Sequence, residues 1–408
     1  MTTNQREHIL SGYKVLDFTQ HIAGPTATRL LVEMGAEVIK VELAPGGEPT
    51  RYAPYLKEGR SGLFIQQNRG KKSLCLDYKK PQGLAILKGL LPRMDVLIEN
   101  FAPGVIARMG LDYETVTALN PKIVMCSISA FGQQGPLAFK PGFDFIGAAY
   151  AGILDMNGEP NGPPCFPGMA IGDASTGVHA VAAIACALLY RERTGKGQHL
   201  DISLLDSYFH YHETSVHAYS MSGGKHKPRR IGAHHPLYAP LGMFKGKSHY
   251  LVLMAPLDRQ WPAVCRAIGK PQLADDPRFA TNAKRAENSA VLINLIEEWL
   301  ASTPSDEEAI RLLEEQHVPV APVLSVVEAM HHPHLRERHT VRTVTDRIAG
   351  ELQIPGVPLR FSEFPQLLEL EAPFLGEHNR EILQNYLGYS EEQVKELEAR
   401  KVLRQKDA

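Results

Sequence analysis

The first third of the chain alternates short β-branched runs with stretches of helical spacing. Residues 15–18, 37–42, 96–100 and 123–128 read as strands; residues 26–34, 81–91 and 113–119 read as helices. The first of these helices stops at Gly35, and the second opens on Pro81, as helix termini favour. Strands and helices alternating at this length imply parallel strands with helical crossovers, an α/β, Rossmann-like, doubly wound domain. Ligands of such sheets sit beyond the carboxyl ends of the strands. Chemistry is therefore expected in residues 19–25, 100–108 and 129–135. Ala23-Gly24-Pro25 is not a dinucleotide fingerprint, and the chain contains no P-loop, which argues against nicotinamide or nucleoside-triphosphate chemistry.

At 408 residues the chain exceeds what one hydrophobic core usually supports, so two domains are expected. A basic, breaker-rich stretch, Gly223-Gly224-Lys225-His226-Lys227-Pro228-Arg229-Arg230, marks a change of composition. The expected division is a large α/β domain over 1–203, a linker over 204–227, a smaller α+β domain over 228–330, and a segment over 331–408 that returns to the large domain. The smaller domain is expected to hold strands at 241–244 and 249–254 and helices at 261–268 and 290–300. Residues 320–323, with Pro319 and Pro322, read as a linker. Weak strands at 341–346 and 352–354 precede a final helix over 391–403.

The net charge of −1 provides no global field for nucleic acid or an anionic membrane, so an anionic ligand must be met by local cations. The polar start lacks the apolar core of a signal peptide. The longest apolar run, 178–190, is interrupted by His179 and is too short to span a bilayer. Five scattered cysteines without CxxC spacing fit a reducing cytoplasm and neither a disulfide scaffold nor a zinc site. The clusters His234-His235 and His331-His332-Pro333-His334 read as surface or loop histidines, and no metal is expected.

Asp173 stands before a run of small apolar residues, 174–192, that suits a helix buried on every face. A carboxylate in the first turn meets the positive end of the helix dipole and can stay ionised while partly buried. That describes a helix cap and equally a carboxylate nucleophile. The stiff segment Pro163-Pro164-Cys165-Phe166-Pro167-Gly168 is suited to hold it in place, and Asp144 reads as a residue that holds a turn. Asn68-Arg69-Gly70-Lys71-Lys72-Ser73 groups three cations, and Asn100-Phe101 leads to Arg108. These are either a solvated surface or a site for phosphates on a larger ligand, with Phe101 stacking on a base.

In order and spacing, the chain resembles the family III coenzyme A transferases and the related alpha-methylacyl-CoA racemases over about residues 11–400. The resemblance rests on Leu16-Asp17-Phe18-Thr19, Ala23-Gly24-Pro25, Gly35-Ala36-Glu37, Asn68 to Ser73 and Glu99-Asn100-Phe101. It continues through Arg108-Met109-Gly110, Gly172-Asp173, Thr194 to Gln198 and Phe374-Leu375-Gly376-Glu377-His378.

The resemblance implies an aspartate nucleophile at Asp173 that passes through anhydride and aspartyl-CoA thioester intermediates. Acyl-CoA is then a substrate, with no permanently bound cofactor. It implies a coenzyme A cleft lined by His21, Ile22, Ala23, Asn100, Phe101 and Arg108, with Arg69, Lys71 or Lys72 on its phosphates. Phe131, Gly132 and Gln133 fall near the acyl group. His21, Gln133, Arg230, His234 and His235 are candidates for the acceptor acid, with succinyl-CoA as donor and a dicarboxylic or aromatic acid as acceptor. An interlocked homodimer is implied, with a heterodimer of paralogues as the alternative. The loop 231–236 carries one glycine where oxalate-specific members have a glycine-rich lid, and Leu43 stands where they carry arginine, which disfavours oxalate. Racemisation, which uses a histidine before Asp144, meets Phe143 there. A non-catalytic acyl-CoA-binding subunit is the remaining alternative.

Overall fold

The computed structural model describes residues 8–405. In chain order it begins with β1 (Lys14–Asp17), α1 (Ala23–Glu33), β2 (Glu37–Leu43), a short hairpin of β3 (Leu56–Lys57) and β4 (Arg60–Ser61), and α2 (Gly62–Asn68). β5 (Lys72–Leu76), α3 (Pro81–Leu90), β6 (Val96–Glu99), α4 (Val105–Arg108), α5 (Tyr113–Leu119) and β7 (Val124–Ser129) follow. α6 (Asp144–Tyr150), α7 (Ile153–Met156), α8 (Ile171–Thr194), β8 (Gln198–Ser203) and α9 (Leu204–Phe209) come next.

Six strands pair in parallel in the order β5-β2-β1-β6-β7-β8. Successive residues of each inner strand enter opposite cores. Leu16, Ile39, Leu97 and Met125 face α3 and the helix Asn379–Leu387; Val15, Val38, Val96 and Val124 face α1 and α8. Burial on both sides explains why these strands are rich in apolar residues, and the charges buried within β2, Lys40 and Glu42, are ion-paired.

The strands and helices expected in the first third are present within a few residues of their expected ends. Two strands of the six-stranded sheet were not expected: β5, inside the segment read as a cation cluster, and the polar edge strand β8. Residues 204–227, expected as a linker, hold α9 and the helix Ser215–Met221.

α8 corrects the picture of a helix buried on every face. Ala180, Ile184 and Leu188 are buried, whereas Val178, Leu189 and Tyr190 are about half exposed. Its 24 residues are long and apolar enough, by length and composition, to cross a membrane, unlike the shorter run read from the sequence. Here its buried side packs on α1 and the sheet. Gly177 makes that approach possible, because a Cβ there would lie 2.7 Å from the Ala23 carbonyl oxygen.

The chain divides into two compact units. The second comprises Leu154–Phe166 and His217–Arg336, and Glu337 onward belongs to the first. The second unit is an antiparallel sheet of Leu241–Lys245, Tyr250–Met254 and Val320–Pro322 with helices Trp261–Ala267, Ser289–Ser302 and Asp306–Glu315. Its core gathers Phe244, Leu251, Trp261, Ile296 and Leu300. Residues 320–323, expected as a linker, supply an edge strand. An edge position tolerates proline because one side of its ladder is unpaired.

Candidate active site

α1 and α8 each precede a strand that runs parallel to the others, so both helices begin at the carboxyl end of the sheet. Asp173 lies in the first turn of α8, four residues before Gly177 and on the same helical face. It is not the cap. The helix starts at Ile171, its N-cap is Ala170, and no side chain of that residue caps it. The capping role falls to Asp144, the buried first residue of α6, whose Oδ1 accepts the Asp173 backbone N–H at 2.8 Å. The Tyr208 hydroxyl donates to both Asp144 oxygens at 3.0 Å. Gly172 lets these groups meet, since a Cβ there would fall 2.4 Å from Asp144 Oδ1 and 2.0 Å from the Tyr208 ring.

Asp173 thus has a fixed backbone and a half-buried carboxylate that accepts no hydrogen bond among the described residues. Burial first, and the Asp144 charge second, push its carboxyl up to about 7. The positive end of α8 opposes that rise. Burial thus works against the helix terminus, which was expected to let Asp173 stay ionised while partly buried. An unengaged carboxylate of this kind can act as a nucleophile or as a proton-transfer group.

The segment between β1 and α1 lies at the same edge. His21 is exposed and adopts a left-handed backbone with φ of 63°, a conformation uncommon outside glycine. Ile22 is half-buried, and Ala23 is buried at the start of α1. The Asn100 side chain is committed to this segment: it accepts the Gln20 N–H at 2.8 Å and donates to the Gln20 carbonyl at 2.9 Å. Phe101 is half-buried against the core, and its N–H donates to Glu99 at 2.8 Å. Arg108, at the end of α4, is exposed and forms no ion pair among the described residues. Lys79, exposed just after β5 at this edge, was not singled out by the sequence.

After β7, Phe131 is buried with its ring edge-on to Tyr150, and Gly132 has φ of 85°. The Gln133 N–H donates to the Asp201 carboxylate at 2.9 Å, and its buried Nε2 has no hydrogen-bond partner among the described residues. Phe143 directly precedes Asp144 and is 73% exposed. His234 and His235 belong to the second unit, as does Arg230, which pairs there with Asp155 at 2.5 Å. The His234 ring packs on Phe244, the His235 N–H donates to the Leu241 carbonyl, and burial lowers the pKa of both imidazoles. Residues 163–166, expected to brace Asp173, also lie in the second unit.

The three cations of the 69–72 segment do not form an open phosphate site. Arg69 is buried and paired with Glu33. Lys71 Nζ is buried among Asp17 at 3.1 Å, Thr28 at 2.7 Å and Asn68 at 2.8 Å, and burial lowers its pKa to about 8. Lys72 bridges Glu37 at 2.7 Å and Glu381 at 2.8 Å. The physical reason is topological. Lys72 opens β5 and so stands at the amino end of the sheet, away from the loops that follow the strands.

A parallel α/β sheet with one unengaged carboxylate at a helix start, beside a strained loop after the first strand, defines an α/β enzyme of carboxylate chemistry. The model of CoA-transferase family III matches residues 10–379. The chain therefore belongs to that family and is a CoA-transferase. It is 35% identical over 389 residues to succinyl-CoA:glutarate CoA-transferase of Mus musculus, covering 95% of this chain and 88% of the relative. It is 34% identical over 405 residues to succinyl-CoA–D-citramalate CoA-transferase of Chloroflexus aurantiacus, covering 99% and 100%. A solved CAIB/BAIF family protein from Brucella suis superposes with a TM-score of 0.83 at 34% identity, over 93% of this chain and 100% of the other.

Proposed function

We propose that the protein transfers coenzyme A from succinyl-CoA to a dicarboxylic acid, with Asp173 as the covalent nucleophile. The observation that carries this reading is the Asp173 carboxylate itself: held by its backbone N–H, partly desolvated, and free of hydrogen-bond partners among the described residues. Its attack on the thioester carbonyl forms a mixed anhydride and releases the CoA thiolate. The thiolate attacks the Asp173 carbonyl, which forms an aspartyl-CoA thioester and releases succinate. The acceptor carboxylate then displaces CoA as a second anhydride, and CoA attacks the acceptor carbonyl to regenerate Asp173. Every nucleophile is an anion, so no general base is needed; water must be excluded because the anhydrides hydrolyse.

His21, Ile22 and Ala23 line the CoA cleft in this reading, and Arg108 meets the phosphates. Asn100 acts through the Gln20 backbone rather than through its own amide. Gln133, whose Nε2 is an unpaired buried donor, faces the acyl oxygen. The donor and the dicarboxylate class are supported by the substrates that the mouse and Chloroflexus relatives are named for, succinyl-CoA with glutarate or citramalate. The exposed Phe143 stands where racemisation needs a base, so the racemase reading gains no support.

We also infer a homodimer, supported by the half-exposed apolar residues Val178, Leu189 and Tyr190 of α8, and a cytoplasmic location, supported by five free cysteines. Light scattering of the purified protein tests the first, with a monomer as the contrary result. The decisive test of the chemistry is transfer from succinyl-CoA to carboxyl-18O acceptor acids. One labelled oxygen should pass through Asp173 into succinate, and quenched protein should carry CoA on the Asp173 peptide. Transfer without label in succinate would overturn the aspartyl route, and turnover confined to monocarboxylic acceptors would overturn the dicarboxylate assignment.

A further inference from the structure

His21 combines three features seldom found together. Its backbone is left-handed, it is exposed, and its own N–H is held by a buried carboxylate, Glu48 Oε1, at 3.0 Å. A non-glycine residue keeps such a conformation only when its surroundings over-determine it, and such residues concentrate at functional sites.

Glu48 lies in the loop after β2 and is 2% exposed. Its carboxylate is saturated: Oε1 also accepts the Thr50 hydroxyl at 2.7 Å, and Oε2 accepts Asn68 Nδ2 at 3.3 Å and pairs with Lys40 Nζ at 2.5 Å. Its backbone is anchored as well, since its N–H donates to Glu42 Oε2 at 3.0 Å. Arg51 in turn grips both oxygens of Glu42 at 2.7 Å.

The rest of the β1–α1 segment is held in the same manner. The Thr19 carbonyl accepts Lys40 Nζ at 2.8 Å, and the Thr19 N–H donates to Asp17 at 2.8 Å. Lys40 thus ties Glu48 to Thr19, and Asn100 ties Gln20 to β6. None of these restraints uses the His21 ring, which is left for a ligand.

We propose that Glu48 is a positioning residue for the acyl-CoA cleft. By accepting the His21 N–H it fixes the left-handed turn that presents His21 and Ile22 beside the start of α1. The inference rests on the reading that residues 21–23 line that cleft. Glu48 touches no substrate; it acts on the shape of the loop and hence on coenzyme A affinity.

Three variants of the full-length protein test this, with CoA binding read by calorimetry and transfer by kinetics. Glu48→Asp keeps the charge beside Lys40 and shortens its reach by about 1.5 Å. It should weaken CoA binding and raise the KM for acyl-CoA by about tenfold, with kcat changed less than about threefold. In the His21→Gly background, where glycine adopts the turn unaided, the same substitution should weaken binding less than about threefold. Hydrogen exchange of the His21 amide should quicken in Glu48→Asp, without CoA present. Unchanged CoA affinity in folded Glu48→Asp, or losses that simply add in the double variant, overturns the role of Glu48. Failure of the wild type to bind CoA removes the cleft assignment itself, a result distinguishable from the first.

Discussion

The backbone N–H of Asp173 donates to the carboxylate of Asp144, 29 residues earlier, at 2.8 Å. One acid thus caps the helix from outside while the other keeps its side chain free. The pairing has an electrostatic consequence, because Asp144 lies close enough to raise the Asp173 pKa. Asp144 is itself raised by burial, with the Asp173 N–H and Tyr208 hydroxyl acting in the opposite direction. Replacing the charge at 144 therefore alters the acidity of Asp173 without moving its backbone.

Asp144→Asn retains an acceptor for the Asp173 N–H and removes the neighbouring charge. Burial remains the larger cause of the Asp173 shift, so the pKa should fall only part of the way toward the ordinary carboxylate range. The acid limb of kcat/KM should move with it to lower pH, with the plateau retained. Asp144→Ala should instead leave a buried N–H and the Tyr208 hydroxyl unpaired, destabilising the protein by about 1–3 kcal/mol for each. A pH–rate profile unchanged in Asp144→Asn would show that the two acids are not coupled.

The wild-type profile follows from the same group. In the proposed mechanism only ionised Asp173 attacks the thioester, and burial with the Asp144 charge pushes its carboxyl up to about 7. kcat/KM should therefore rise with pH through about 7 and level off above it. Stability has the opposite sign. The folded pKa lies above the unfolded value, so the native state binds more protons and loses stability as pH rises from about 4 to about 7. Asp173→Asn should be inactive, more stable than wild type above pH 7 by on the order of 2–4 kcal/mol, and no more stable below pH 4. Melting curves across pH check both ends.

Gly172 is the residue on which the Asp144–Asp173 pairing depends sterically. A methyl group there would lie 2.4 Å from Asp144 Oδ1 and 2.0 Å from the Tyr208 ring, so the first turn of α8 or the Tyr208 ring must shift. Gly172→Ala should lower kcat roughly a hundredfold or more, since a 1 Å misplacement of a reacting group is enough for that loss. Circular dichroism should show the helix content retained. Near-wild-type turnover in Gly172→Ala would mean that the position of Asp173 is not critical.

The strands buried on both faces were legible because each carries β-branched apolar residues, even β2, where Lys40 and Glu42 interrupt them. β5 was not, because Lys72-Ser73-Leu74-Cys75-Leu76 has no β-branched residue and opens on a charge. Asp173 was legible as a candidate nucleophile, but its other reading, as the cap of its own helix, was wrong. The residue that caps its helix comes from 29 positions away, and nothing beside Asp173 reports it. The run of cations misled for a similar reason. Glu33, Asp17, Glu37 and Glu381, which neutralise Arg69, Lys71 and Lys72, are distant in sequence and adjacent only in the fold. The positive φ of His21 likewise has no local signal, since histidine is an ordinary loop residue until its N–H partner is known.

The cations that remain available predict a clean separation on the CoA side. Arg108 and Lys79 stand after the carboxyl ends of β6 and β5 and have no ion pair among the described residues, whereas Lys72 stands at the opposite end of β5 between two carboxylates. A charge-assisted contact to phosphate contributes about 1.5–3 kcal/mol, or roughly 10–100-fold in affinity. Arg108→Ala should raise the KM for acyl-CoA by that factor, less for dephospho-CoA esters if Arg108 meets the ribose phosphate, and Lys79→Ala should act in the same direction. Lys72→Ala should leave KM within about twofold, since Lys72 lies at the opposite end of the sheet, and show instead a small loss of thermal stability from its two partly exposed pairs. The reverse pattern, with KM sensitive to Lys72 and indifferent to Arg108, would return the phosphate site to the segment from which the fold removes it.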